Sequence, residues 1–317
     1  MTMTLWLHPA GTFSWSSFSV HPSTVIGIAA LGALYAWRAR AGEVDPVPQP
    51  GAAPPRAPDP TRRPTHGQVL AFVLGLATLF LSLNGPLHDL SDDYLFSAHM
   101  VQHLVLTMIV TPLLIAGTPG WMLRPALRSR SVAAVARRIT TGPAAFGIFN
   151  VTIVVWHLPP LYNYALVHHP VHIVMHLCFL VASTIMWWPV MSTMPELPPL
   201  SYPKQMLYLF LMSLPMTAVA MIITYASTTL FPSYAAAPRV WALSPLEDQR
   251  LGGLIMWIPG GFVFIGVLSV AFFRWVREFE RQEATGGHSA ERQADTARAH
   301  RTTLQADTVP TQSGVRL

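Results

Sequence analysis

The stretch YLFSAHMVQHLVLTMIVTPLLIA, residues 94–116, decides the fold, because it is long and apolar enough to cross a lipid bilayer as one helix. It contains no Asp, Glu, Lys or Arg, yet it includes His99 and His103, four positions apart. Side chains at that spacing lie on the same face of a helix. Ionisable groups within a membrane are costly and usually functional, so this pair is the first candidate site.

The composition extends this interpretation to the whole chain. Of its 317 residues, 51% are hydrophobic and only 11% are charged, against about a quarter in soluble domains. The single cysteine, Cys178, excludes an intrachain disulfide and a Cys-rich metal site. We therefore predict an all-α fold, an integral membrane helical bundle with seven transmembrane helices. Their predicted limits are residues 22–39, 67–84, 94–117, 144–158, 171–191, 204–226 and 246–274.

The chain is predicted to divide into four parts. Residues 1–40 form an outer N-terminal segment and the first transmembrane helix, and residues 67–283 form a six-helix membrane core. Residues 41–66 contain eight prolines, which is typical of an extended linker, here on the cytoplasmic side. The polar, small residues of 284–317 predict a disordered cytoplasmic tail. Apolar residues mixed with arginines at 121–138 indicate a helix at the membrane surface.

The distribution of basic residues predicts the orientation. All but two of the 20 Lys and Arg residues lie in loops on one side of the seven spans, and the exceptions are Arg239 and Arg250. By the positive-inside rule, the N-terminus lies outside and the C-terminus in the cytoplasm, in a bacterial inner membrane. The net charge of +5 is spread over these loops, so we predict contact with membrane lipid and not with nucleic acid.

Five histidines fall in one layer near the predicted outer surface. His172 and His176, in HPVHIVMHL, form a second pair four residues apart, and His157, in VVWHLPP, ends the fourth span at the same depth. One histidine in a membrane helix is more often an interhelical hydrogen-bonding group. Two pairs at one depth favour metal binding, because neutral imidazole is the commonest protein metal ligand. The predicted metal site comprises His99, His103, His172, His176, His157 and Asp248.

Other residues on this side favour copper, as Cu(I), over zinc. Methionine thioethers are soft ligands that suit Cu(I), and candidates are Met100, Met175, Met221 and Met256. Carboxylates can attract a cation or orient an imidazole, and candidates are Asp89, Asp92, Asp93 and Glu247. The remaining histidines on this side are weaker candidates: His8, His21, His88, His168 and His169.

Alternative functions stay open at this point. Histidines one turn apart would crowd a single haem, although one member of each pair could still bind it, so a haem-binding membrane protein is an alternative. Copper transport across the membrane is another, with Met212 and Met216 as inner ligands. Retinal is excluded because the only lysine, Lys204, lies at a cytoplasmic helix end. Ser and Thr residues have no triad partners, so we do not expect an enzyme.

Three motifs resemble the CtaG family of caa3-type cytochrome c oxidase assembly factors. They are HMVQHLVLTMIVTPLLIAGTP at 99–119, MWWPVM at 186–191 and LSPLEDQRLGGLIMWIPGG at 243–261, and the resemblance covers about residues 67–275. It implies a polytopic bacterial membrane protein needed to make active haem–copper oxidase, with cytochrome c oxidase subunits as partners. Copper delivery from a periplasmic copper chaperone fits that role, and a metal-free assembly scaffold is the alternative. Small residues on the helices leave a homodimer open.

Overall fold

Helices form most of the described chain. The computed structural model describes residues 13–15, 18–42 and 62–306, with side chains up to residue 283. The fold is all-helical, with 80% of residues in helices and no strand in these ranges. The α-helices are α1 (Pro22–Ala41), α2 (His66–Ser82), α3 (Pro86–Asp93), α4 (Phe96–Val105), α5 (Thr111–Gly117), α6 (Gly120–Leu123), α7 (Arg130–Ile139), α8 (Gly142–Trp156), α9 (Pro159–Val167), α10 (His169–Met191), α11 (Tyr202–Tyr225), α12 (Pro232–Ala236) and α13 (Pro245–Ala306).

The chain divides into two compact units, residues 1–268 and 269–317. All the packing and site geometry below belongs to the first unit.

Several helices can cross a membrane, as the sequence predicts. In the described ranges, four are long and apolar enough, namely Phe96–Gly117, His169–Met191, Tyr202–Tyr225 and Pro245–Glu283. The number rises to six if two bent pairs each count as one span, α2 with α3 at 46° and α7 with α8 at 77°. The predicted first span forms α1 but is not among these six, and its last turn carries Arg38 and Arg40. The seven-helix count and the orientation stay predictions.

The structure differs from the sequence-based outline in two places. The predicted surface helix at 121–138 is broken into α6, a 3₁₀ turn at Arg124–Arg128 and α7, because Pro125 cannot continue a hydrogen-bonded α-helix. The backbone of α13 is helical through Ala306, where the sequence predicts a disordered tail from residue 284. Most of the predicted linker, residues 43–61, lies outside the described residues, as do residues 307–317.

The third predicted span contains a π-helical turn at Leu106–Val110, between α4 and α5. Pro112 has no N–H for the carbonyl of Met108, so the regular α-helical bonding pattern cannot continue there. The Thr111 hydroxyl donates to the Leu106 carbonyl at 2.9 Å, and the Trp187 indole donates to the Thr107 carbonyl at 2.8 Å. The turn therefore links this span to α10.

A core rich in methionine and aromatic residues packs between α4, α8, α10, α11 and α13. Two glycines near the start of α13 allow the helices to approach closely. A Cβ on Gly252 would overlap the Phe96 ring, and one on Gly253 would overlap the Thr224 hydroxyl. This packing holds α13 against Phe96 in the first turn of α4, three residues before His99.

Candidate metal centre

The two predicted histidine pairs meet between α4 and α10. The Nε2 atoms of His99 and His103 are 2.8 Å apart, and the ring centroids of His172 and His176 are 4.4 Å apart. Between the helices, the His99 centroid lies 5.4 Å from that of His172, and the His103 centroid lies 5.6 Å from that of His176. All four side chains are buried. The spacing on each helix thus places four imidazoles around one point.

Two overlapping groups within this cluster have the geometry to hold a metal ion. In the group His99, His103 and His176, one candidate ligand atom from each residue lies within 4.8 Å of the others. The same is true of the group Asp92, His99 and His172. His99 belongs to both, so the two groups form one continuous site and not two separate ones.

His157 lies beside this cluster, with its ring centroid 5.8 Å from that of His103. Its Nδ1 donates to the Ile153 carbonyl at 2.8 Å, which leaves Nε2 as the nitrogen with a lone pair. A small cavity of about 20 Å³ lies next to the two rings and is lined also by methionines, Met100, Met108, Met216 and Met256. Two of the predicted thioether candidates therefore lie beside the site.

Several buried nitrogen atoms of the cluster lack a hydrogen-bond partner among the described residues. They are His103 Nδ1, His157 Nε2, His172 Nε2 and His176 Nε2. A buried polar atom without a partner costs about 1–3 kcal/mol. A metal ion that accepts these lone pairs would remove that cost, so the donor set fits an ion that prefers neutral nitrogen ligands.

Tyr234, from α12, orients His99 together with the Ser91 carbonyl, which lies 3.2 Å from His99 Nδ1. Its hydroxyl donates to the Ser91 carbonyl at 2.6 Å and lies 2.9 Å from His99 Nδ1. Because the hydroxyl proton is used on Ser91, the tyrosine oxygen accepts from His99 Nδ1–H, and the Nε2 of His99 is left as an acceptor. Burial raises the pKa of Tyr234 well above its usual range, so the phenol stays neutral. Such partners fix a ligating histidine in place.

Asp92 brings a carboxylate to the same cluster. Its Oδ2 lies 3.1 Å from His172 Nδ1 and 3.5 Å from His88 Nε2. An Nδ1–H of His172 that donates to this oxygen leaves His172 Nε2 as the available ligand atom. The sequence names Asp92 among the acids that can orient an imidazole, and the structure brings it to His172.

Asp248 belongs to neither of the two metal-binding groups, although the sequence names it as part of the site. Its carboxylate accepts hydrogen bonds from the backbone N–H groups of Phe96 and Ser97, at 2.8 and 3.1 Å. It also accepts from the Ser97 hydroxyl at 2.5 Å. These N–H groups begin α4 and have no partner within the helix, and the negative charge also stabilises the positive end of the helix dipole. In this structure Asp248 therefore supports the helix that carries His99.

The remaining methionine and histidine candidates lie at different distances from the cluster. Met175 is buried in the core, and Met221 is 40% exposed on α11, so Met221 does not face the cluster. His168 is exposed and stacks on Tyr164, while His8 lies outside the described residues. His21, His88 and His169 lie close to one another and to the cluster.

Sequence reasoning missed Tyr234. It belongs to a five-residue helix between two long ones, at no helical spacing from any histidine. No local pattern marks it, since its contact with His99 depends on how the chain folds back after α11.

The comparisons with known proteins agree with the motifs. A family model described as cytochrome c oxidase caa3 assembly factor matches residues 51–278. The chain is 26% identical over 232 residues to uncharacterized proteins of Mycobacterium bovis and Mycobacterium tuberculosis, and 23% identical over 235 residues to one of Mycobacterium leprae. These matches cover 68% of the chain, which spans about a third (35%) of the length of each relative. No solved structure matches the chain. With the family model covering most of its length, the chain belongs to the family of cytochrome c oxidase caa3 assembly factors.

Proposed function

We propose that this protein supports the assembly of cytochrome c oxidase by binding copper at the buried histidine cluster and passing it to an oxidase subunit. One observation carries the proposal: two groups of three residues, each with the spacing of metal ligands, share His99. Family membership supports the assembly role, and the cluster supports the metal. The protein carries out no covalent chemistry in this proposal, since copper is its cargo and ligand exchange moves it.

The donor set favours copper, as Cu(I), over zinc. Neutral imidazoles suit both metals, but thioethers select the softer Cu(I). Two histidines, His103 and His157, and four methionines line the small cavity. Three or four exchangeable ligands also suit a delivery site, because an incoming protein ligand needs an open coordination position.

The proposed arrangement in the membrane follows from the sequence. Seven helices cross a bacterial inner membrane with the N-terminus outside, because the basic loops lie on the cytoplasmic side. The histidine cluster then lies in the outer half of the bundle, next to the compartment from which oxidase copper centres are filled. A periplasmic chaperone supplies the copper, an oxidase subunit receives it, and lipid surrounds the bundle.

The test measures copper per protein in detergent-purified full-length chain loaded with Cu(I). The variant His99→Ala/His103→Ala removes half of the cluster, and His66→Ala/His168→Ala removes two exposed histidines as the matched control. We expect the first variant to lose about one copper per chain and the control to lose none. Equal copper in both variants and the unmodified protein would refute copper binding at this cluster, and full oxidase assembly in cells with the first variant would favour a metal-free scaffold.

A further inference from the structure

A cavity of about 380 Å³ separates the first half of α1 from α2 and α10. Most of its wall is aliphatic, with side chains such as Ile28, Leu79 and Leu177. One end is different, because five histidines line it: His21, His88, His169, His172 and His176. Two of these, His172 and His176, belong to the buried cluster, and their Nε2 atoms have no hydrogen-bond partner among the described residues. The cavity therefore reaches the cluster.

The histidines outside the cluster form a continuous series that leads to it. The ring centroids of His169 and His21 are 5.6 Å apart, and those of His21 and His88 are 4.3 Å apart. From His88 the next ring is His172, at 6.4 Å, and from His172 the next is His99, at 5.4 Å. His169 is half-buried, whereas His21 and His88 are buried. The series thus runs from the partly exposed start of α10 into the interior.

Asp92 lies where the outer series joins the cluster. Its Oδ2 is within 3.5 Å of a nitrogen on His88, from the outer series, and 3.1 Å of a nitrogen on His172, from the cluster. A cation in an apolar interior is costly unless an opposite charge or good ligands accompany it. The carboxylate supplies that charge at the step where the rings are farthest apart.

Hydrogen bonds hold α1 near both of its ends, on either side of the stretch that lines the cavity. At one end, the backbone N–H of His21 donates to Asn84 Oδ1 at 2.8 Å. At the other, the Tyr35 hydroxyl donates to the Gly117 carbonyl at 3.1 Å, and Arg38 Nε donates to the Met122 carbonyl at 3.2 Å. The gap between α1 and α10 is therefore a built feature of the fold.

The opposite side of the cluster is closed by packed aromatic rings. Phe96, Tyr162, Phe231 and Tyr234 lie there, and each is at most 3% exposed. The Phe96 and Phe231 rings stack with centroids 4.4 Å apart. An ion that approached from this side would have to displace the core.

We infer that the cavity beside α1 is the path by which the copper ion reaches and leaves the buried cluster, with His169, His21 and His88 as successive transient ligands. The inference rests on the proposed function, since it concerns the same cargo. At each step a neutral imidazole nitrogen binds before the previous one leaves, so the ion keeps its charge and no proton moves. The last step passes the ion from Asp92, His99 and His172 to His99, His103 and His176, and His99 stays bound throughout.

The experiment measures the rates at which full-length protein in detergent takes up Cu(I) and loses it to a Cu(I) chelator such as bicinchoninic acid. One variant, Gly27→Phe, fills the cavity without removing a histidine, because Gly27 lines it and a Cβ there would meet no described atom within 4 Å. The matched control is Gly261→Phe, since Gly261 is equally open and lies outside the cavity lining. A second variant, His21→Ala/His169→Ala, removes transient ligands, and His168→Ala is its control.

We expect both test variants to slow uptake and loss about tenfold or more, which corresponds to at least about 1.4 kcal/mol in the barrier. Copper per protein at equilibrium stays unchanged, because an obstructed path alters both rates equally, whereas a distorted site alters their ratio. Rates equal to those of the unmodified protein in both variants would overturn the inference. If the unmodified protein binds no copper, the proposed function itself fails, and this outcome is distinct from unchanged rates.

Discussion

The Tyr234 hydroxyl lies 2.9 Å from His99 Nδ1, although the two residues are 135 positions apart in the chain. Tyr234 also donates to the Ser91 carbonyl, which itself lies 3.2 Å from His99 Nδ1, so both neighbours of Nδ1 act as acceptors of its proton. The contact leaves His99 Nε2, the atom nearest His103, as the nitrogen able to bind a metal.

Removal of the Tyr234 hydroxyl should weaken copper binding without destroying the fold. In Tyr234→Phe, the imidazole of His99 loses one of its two orienting partners, the other being the Ser91 carbonyl. Outer partners of metal ligands are typically worth about 10–100-fold in affinity. Competition with a Cu(I) chelator of known affinity measures the change. Tyr225→Phe is the control, because Tyr225 is 70% exposed. An affinity equal to that of the unmodified protein would mean that Tyr234 does not position His99.

Replacement of Asp248 should reduce stability and leave the copper content unchanged. In Asp248→Ala, the buried N–H groups of Phe96 and Ser97 lose their acceptor, at a cost of about 1–3 kcal/mol for such a group. Thermal unfolding in detergent measures the loss, and metal analysis measures copper per chain. A stable variant that has lost its copper would instead make Asp248 a ligand, as the sequence predicts.

The contact between α13 and α4 predicts a position-specific effect of added volume. In Gly252→Ala, the new methyl group overlaps the Phe96 ring, so we expect destabilisation of about 1–3 kcal/mol. In Gly261→Ala, the methyl group meets no described atom within 4 Å, and helix propensity alone favours alanine by up to about 1 kcal/mol. Equal melting temperatures for the two variants would contradict this account of the packing.

The methionines of the small cavity should discriminate between metals. In Met216→Leu/Met256→Leu, the thioethers next to His103 and His157 are lost while the volume is nearly kept, so Cu(I) affinity falls and Zn(II) affinity does not. Parallel titrations with the two ions test this. Met221→Leu, on the exposed face of α11, serves as the control. If both affinities fall together, the methionines act through packing and not as ligands.

The part of the site that sequence predicts is the part that depends on local spacing. His99 and His103, like His172 and His176, lie four residues apart on helices, and helical geometry alone places each pair on one face. Their common depth follows from the limits of the predicted spans, which is why their meeting could be expected without a structure.

The contacts that the sequence does not reveal are those made between distant segments. Asp248 accepts from Ser97, 151 residues away, and nothing near either residue indicates that bond. The proximity of His21 and His169 likewise depends on the position of α1, which lies before the long linker. An acid at a helix start has two uses, to bind a cation or to cap a neighbouring helix, and only the tertiary arrangement separates them.

The π-helical turn at Leu106–Val110 has a consequence for how this span tolerates insertions and deletions. Such a turn accommodates one more residue than a regular α-helical turn, and each residue rotates a helix by about 100°. Deletion of one residue between 106 and 110 would remove the extra residue of this turn, and with Gly117 still packed against Phe72, the face that carries His99 and His103 would turn away from α10. The length of this turn therefore sets how α4, which carries the metal ligands, is rotated relative to α5, which contains Gly117.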